Sequence, residues 1–201
     1  LDDLAKQSTS ILAPTFNGKW GLRPYRTDIP IHRDFTVSNI LSSDGSETQA
    51  ADQRTSSFQL TLGTLQETHT RFEVHYKYNV GNGKYDGVYY VDHTGSNLPG
   101  GTESKSAMEA QCLESYLRFG LLEPLIVQAN WIYNPGPAIY LLNYLVSYFS
   151  KQLFTVQFDT TFQAMPIEVG DLISVTYPSI PAVLHRIVCQ VLSVRHMPTK
   201  G

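Results

Sequence analysis

The chain has 201 residues, 42% of them hydrophobic and 16% charged, so it holds enough apolar material for one large domain or two small ones. With 15 Lys and Arg against 18 Asp and Glu, a net charge of −3 and no cationic run, it lacks the footprint of a nucleic-acid binder. Its longest apolar stretch, Ala138–Phe149, falls well short of the roughly 20 residues of a bilayer-spanning helix, so no membrane insertion is expected.

Leu1, Leu4, Ala5, Ile11 and Leu12 recur at helical spacing and predict a short helix ended by Pro14. Asn17-Gly18 has the composition of a hairpin turn and leads into a strand over Lys19–Pro24. Ile31–Leu41 reads as extended until the break at Ser42-Ser43-Asp44-Gly45, and the polar stretch to Ser57 reads as loop. Phe58, Leu60 and Leu62 alternate with Gln59, Thr61 and Gly63 as a half-buried strand. The clearest strand sets Phe72, Val74, Tyr76 and Tyr78 against Glu73, His75 and Lys77. Asn79-Val80-Gly81-Asn82-Gly83 closes a hairpin that returns through Tyr85–Val91.

Residues 93–106, rich in Gly and Ser, predict a loop insertion; Ala107–Leu117 is a short helix or an irregular crossing, and Leu125–Trp131 is extended. Asn134-Pro135-Gly136-Pro137 opens the main amphipathic helix, about residues 137–150, with Ala138, Leu141, Leu142, Leu145, Tyr148 and Phe149 on one face. Its leucines are expected to pack on a sheet that includes Phe154, Val156 and Phe158. Gly170-Asp171 predicts a turn with positive φ at the glycine that sets the register of its flanking strands. Strands over Leu172–Tyr177 and Leu184–Arg195 close the chain. The expected fold class is α+β and β-rich, with antiparallel strands and hairpins around one main helix. Its expected subdivision is a hairpin-rich part, 1–120, and a helix plus barrel-like part, 121–201.

Chemistry is sparse in this pattern. His32, His69, His75, His93, His185 and His196 form no metal-ligand spacing, so no metal and no cofactor is expected. Gly81-Asn82-Gly83 precedes a strand and has no helix N-terminus to offer a phosphate. Cys112 and Cys189 stand far apart among apolar residues and read as buried free thiols. Asp86, Asp92 and Glu103 are the acids nearest loops, and nothing in their spacing distinguishes a catalytic pair from turn and surface acids. Tyr76, Tyr78, Tyr85, Tyr89 and Tyr90 either line a contact face for a sugar or a protein or pack across the hairpin as cross-strand pairs; packing is the simpler reading. The chain therefore reads as non-enzymatic.

Several of these stretches resemble one family. Leu1-Asp2-Asp3-Leu4-Ala5 followed by Asn17–Pro24, the strand Arg71–Tyr78 with Tyr85, the crossing from Trp131 into the helix ending at Phe149, and Val156–Val175 with its Gly170-Asp171 turn are similar, in that order, to the hub proteins of phage tails. That family comprises baseplate-hub and tip-attachment proteins. Residues 93–106 and 42–57 depart from its pattern. The resemblance implies a tail-hub-like fold and a ring-forming structural subunit of the virion tail tip, a trimer in its full-length form, made in a bacterial host and contacting other tail proteins. With no initiator Met before Leu1, the chain is expected to be a fragment of a longer hub protein. The alternatives from other classes are a carbohydrate- or receptor-binding module of the tip and, less favoured, a cell-wall hydrolase domain.

Overall fold

The computed structural model describes residues 7–14, 19–24, 30–41, 57–161, 164–178, 180 and 186–195. In chain order they form β1 (Ser10–Pro14), β2 (Trp20–Pro24), β3 (Arg33–Phe35), β4 (Gln59–Leu62), β5 (Phe72–Asn79), β6 (Lys84–Asp92), β7 (Gly95–Ser96), α1 (Lys105–Phe119), β8 (Leu125–Ala129), α2 (Pro135–Phe149), β9 (Phe154–Gln157), β10 (Leu172–Val175) and β11 (Ile187–Gln190). The strands lie in four sheets, so the β-rich mixed architecture expected from the sequence is present. The chain divides into two compact units, Leu1–Thr9 with Leu62–Leu153 and Ser10–Thr61 with Phe154–Gly201. The expected boundary near residue 120 instead cuts through the first of them.

The first unit is a four-stranded sheet of order β7-β6-β5-β8 with both helices. β5, β6 and β7 are antiparallel neighbours, whereas β8 runs parallel to β5, so the sheet is not purely antiparallel. A parallel return needs a long crossover, and the segment expected to be a loop supplies it. That segment holds β7 and the start of α1, a 15-residue helix where at most a short one was expected. Its buried positions, Met108, Cys112 and Ser115, form a narrow stripe that includes a serine, while Leu113 and Leu117 face solvent. The hydrophobic period is therefore blurred, which is why the sequence hid a second full helix.

Helix α2 begins where Pro135 fits a first helical turn and buries Ala138, Leu141, Leu142, Leu145 and Val146. Its expected partners are corrected by the structure. The leucines pack with Phe72, Val74 and Val91 of β5 and β6 and with Met108 and Cys112 of α1. Phe154, Val156 and Phe158 belong to the second unit, because the four-residue β9 pairs with β4. Burying a leucine such as Leu142 contributes about 1.5–3 kcal/mol of transfer free energy.

In the second unit, β1 and β2 form an antiparallel hairpin, with Ser10 opposite Pro24 and Pro14 opposite Trp20. The helical spacing read through Ile11 and Leu12 is thus overridden by strand pairing; Leu1, Leu4, Ala5 and the Asn17-Gly18 turn lie outside the described residues. β10 is central to a three-stranded sheet, antiparallel to β11 and parallel to β3. A second core gathers Phe35, Ile40, Ile167, Ile173, Val175, Tyr177, Ile180 and Val191, with Phe58 stacked on Tyr177 at 4.2 Å. β11 stops at Gln190 instead of continuing to Arg195, since residues 192–195 are exposed and have no strand geometry. The strands after residue 121 are shared among three sheets, and among the described residues they form no barrel.

Candidate contact surface

The β5–β6 register places Tyr76 opposite Gly87 and Tyr78 opposite Tyr85. The Tyr76 ring lies across Gly87 so closely that a Cβ there would stand 2.5 Å from its Cζ. A mid-strand glycine, normally a weak point, is here the floor on which an aromatic ring rests. Tyr76 also stacks on Tyr89, with ring centroids 5.1 Å apart, and both rings pack on the first unit's core. The hydrogen bond with Tyr89, aided by burial, pushes the Tyr76 hydroxyl up to about 12. These two tyrosines are packing residues.

The other three face elsewhere. Lys77 has φ of 59°, the strand ladder skips it and Asp86, and its N–H donates to the Ile132 carbonyl at 2.7 Å. A left-handed residue inside a strand breaks the strict alternation of sides. Tyr78 and Tyr85 accordingly leave the core side. Tyr85 meets His75 edge-on at 5.7 Å, donates its hydroxyl to Asn130 Oδ1, and has Gln128 Oε1 at 3.5 Å. Tyr78 packs beside it at 5.1 Å. Burial, then the neighbouring Tyr78, raises the Tyr85 pKa. Tyr90 lies under the Arg71 guanidinium at 5.4 Å, within cation–π reach.

Arg71 binds Glu73 at 2.7 Å, and His75 Nε2 lies 3.2 Å from the other Glu73 oxygen. Burial alone would raise the Glu73 pKa, but the bonds from His75 and Arg71 outweigh it and hold it below the usual value. Arg71, Glu73, His75, Tyr85, Tyr90, Gln128 and Asn130 thus make a polar and aromatic surface on the sheet face opposite the helices, with Val88 and Ile126 exposed among them. The sequence singled out its tyrosines and missed Arg71, Gln128 and Asn130. The available signal was the alternation in β8, where Leu125 and Val127 point inward and Ile126 and Gln128 outward.

Gly170 has the positive φ expected of it, 96°, and a Cβ there would stand 2.9 Å from Arg23 Cδ. Arg23 of β2 bridges Glu168 and Asp171, the latter at 2.8 Å, while Asp171 Oδ2 accepts the Glu168 N–H at 2.8 Å. Gly170 N–H donates to the Val191 carbonyl and Val191 N–H to that of Asp171. The turn therefore ties the start of β10 to the end of β11 and to β2, not to the strand that precedes it.

The remaining candidates are engaged locally. His69 Nδ1 lies 2.8 Å from the Glu123 carbonyl oxygen, His93 stacks on Tyr116 at 4.0 Å, and His32 stands 3.9 Å from Asp171. His185 and His196 lie outside the described residues. Asp92 is buried and accepts from Thr94 N–H at 2.7 Å, while Asp86 and Glu103 are exposed. Among the described residues no group of three or more His, Cys, Asp or Glu converges on a metal position, and no helix is long and apolar enough to cross a membrane. Both cysteines are free, and burial, then the charges of Asp92 and Glu109, pushes the Cys112 thiol up to about 12, far from a reactive thiolate. Compared with known protein families and with curated proteins, the chain matches none.

Proposed function

We propose that this chain is a structural subunit of a phage tail tip, a hub component that joins the tail tube to the tip or fibre apparatus through contacts with its own copies and with other tail proteins, without catalysis. The observation that carries the reading is large apolar surface on a weakly charged chain. Leu117 of α1 is 76% exposed and Tyr140 of α2 56%, and Val88 lies open on the outer face of the sheet. Such side chains are the material of interface cores. The resemblance of the ordered motifs, from the N-terminal stretch to the Gly170-Asp171 turn, supports the tail-hub reading, and a closed ring, a trimer in the full-length protein, satisfies these surfaces without open-ended growth. Native mass measurement of the full-length parent and labelled imaging of the particle test it. A closed oligomer at the end of a tail is expected; a parent that stays monomeric at high concentration and is absent from any tail refutes it.

A second reading rests on the outer face itself. Tyr85, Tyr90, Arg71, His75, Gln128 and Asn130 combine rings with planar polar groups, the chemistry that recognises a sugar or a receptor loop. Under this reading Tyr85→Ala abolishes binding to the host surface while leaving the oligomer intact; under the hub reading alone it leaves attachment unchanged.

A further inference from the structure

We infer that β8 is an open edge through which two copies of this chain pair antiparallel across a two-fold axis at Val127. Among the described residues β8 is terminal in the sheet order, with β5 its one strand neighbour. The Leu125 N–H donates to the Arg71 carbonyl at 2.9 Å, which fixes the phase of the strand. Leu125 and Val127 turn their backbone groups to β5, the Ala129 carbonyl accepts the Ile132 N–H at 3.2 Å, and Ile126 and Gln128 turn theirs away from β5. Among the described residues those outward N–H and C=O groups meet no partner strand.

Three features point to a second copy as the occupant. First, the outward groups are self-complementary. With Val127 on the axis, Ile126 stands opposite the partner's Gln128 and Gln128 opposite the partner's Ile126. Each pair exchanges both backbone bonds, so all the outward groups of the strand are satisfied at once. Second, Leu125–Ala129 carries no charge, no proline and no bulge, the devices that keep a lone edge from pairing. Third, the segments beyond its ends expose Leu121 on one side and Trp131 and Tyr133 on the other. An antiparallel arrangement brings the first toward the partner's second. The contact keeps both copies' helices on the same side of one continuous sheet, because directly opposed residues share a face.

This inference does not rest on the tail-tip reading: the contact is two-fold and is assayed on the isolated chain. Light scattering and sedimentation of the 201-residue chain across a wide concentration range should give a monomer–dimer equilibrium. In a Cys189→Ser background, Val127→Cys should crosslink under mild oxidation, because residues on the axis form a non-hydrogen-bonded pair with Cα atoms about 4.5 Å apart. Ile126→Cys should not, since its symmetry mate is offset along the strand to about 8 Å, beyond disulfide reach. Gln128→Pro removes an outward donor that β5 does not use, and Ile126→Lys adds an edge charge; each should leave circular dichroism unchanged and yield a monomer. A chain that is monomeric at every concentration, equal crosslinking at residues 126 and 127, or a dimer untouched by Ile126→Lys and Gln128→Pro would overturn the inference.

Discussion

Replacing Gly87 by alanine isolates the contact that organises the β5–β6 hairpin. In an unencumbered strand this change is favourable by about 0.4–1 kcal/mol, because alanine restricts the unfolded chain. Here the new methyl would fall 2.5 Å from Tyr76 Cζ and 2.6 Å from a ring Cε, so the ring must leave. Its departure forfeits the stack with Tyr89, worth about 0.5–1.5 kcal/mol, and displaces a side chain packed on the core, which costs about 1–3 kcal/mol. The losses outweigh the gain, and a net destabilisation of about 1–3 kcal/mol is expected. Hydrogen exchange of the β5 and β6 amides reads the change in the unit that contains it. Spectrophotometric titration gives an independent readout, since Tyr76 should fall from about 12 toward the ordinary value of 10 once its bond to Tyr89 is broken. In a Tyr76→Ala background the same glycine replacement should be neutral or stabilising. If Gly87→Ala alone stabilises the hairpin, the ring-on-glycine account is wrong.

Leu142→Ala, at a fully buried position, should cost about 2–5 kcal/mol in the same exchange measurement, with protection lost in α1 as well as α2. Gly170→Val, against a positive φ and the Arg23 side chain, should cost about 1–3 kcal/mol in denaturant unfolding. Asp171→Asn, which keeps an oxygen for the Glu168 N–H and loses the charge beside Arg23, should cost about 1 kcal/mol or less. Glu73 is held below its ordinary value of 4.5, so its stabilising contribution is fully present above that pH and is lost as pH falls through the lowered folded value. Wild type should therefore exceed Glu73→Gln in stability at neutral pH, and the difference should vanish in acid.

Legibility in the sequence followed the strength of the local signal. The β5–β6 hairpin and α2 were readable because apolar residues recur there at periods of two and three to four, with turn or proline punctuation at their ends. Helix α1 was obscured by Ser115 on its buried side and leucines on its open side. The packing partners of α2 were misassigned because adjacency in sequence favoured Phe154–Phe158, whereas the true partners lie far upstream in β5 and β6. Such long-range choices depend on crossover topology, which periodicity does not encode. Within the tyrosine set, the split between inward and outward rings turns on the backbone of Lys77, a residue whose side chain gives no warning of it.

The 62–153 segment of the first unit interrupts the chain of the second, and its two ends are clasped together: Gly63 N–H donates to the Leu153 carbonyl at 2.7 Å, and Gln152 Nε2 to the Gly63 carbonyl at 3.3 Å. During synthesis the hairpin unit is complete once residue 153 has been made, while β3 must wait for β10, its partner some 140 positions later. Folding order is thereby written into gene order, with the 62–153 segment maturing before the unit whose chain flanks it in sequence. The same clasp makes the segment modular. Its entry and exit strands, β4 and β9, are neighbours, so a change within the 62–153 segment leaves their pairing in place.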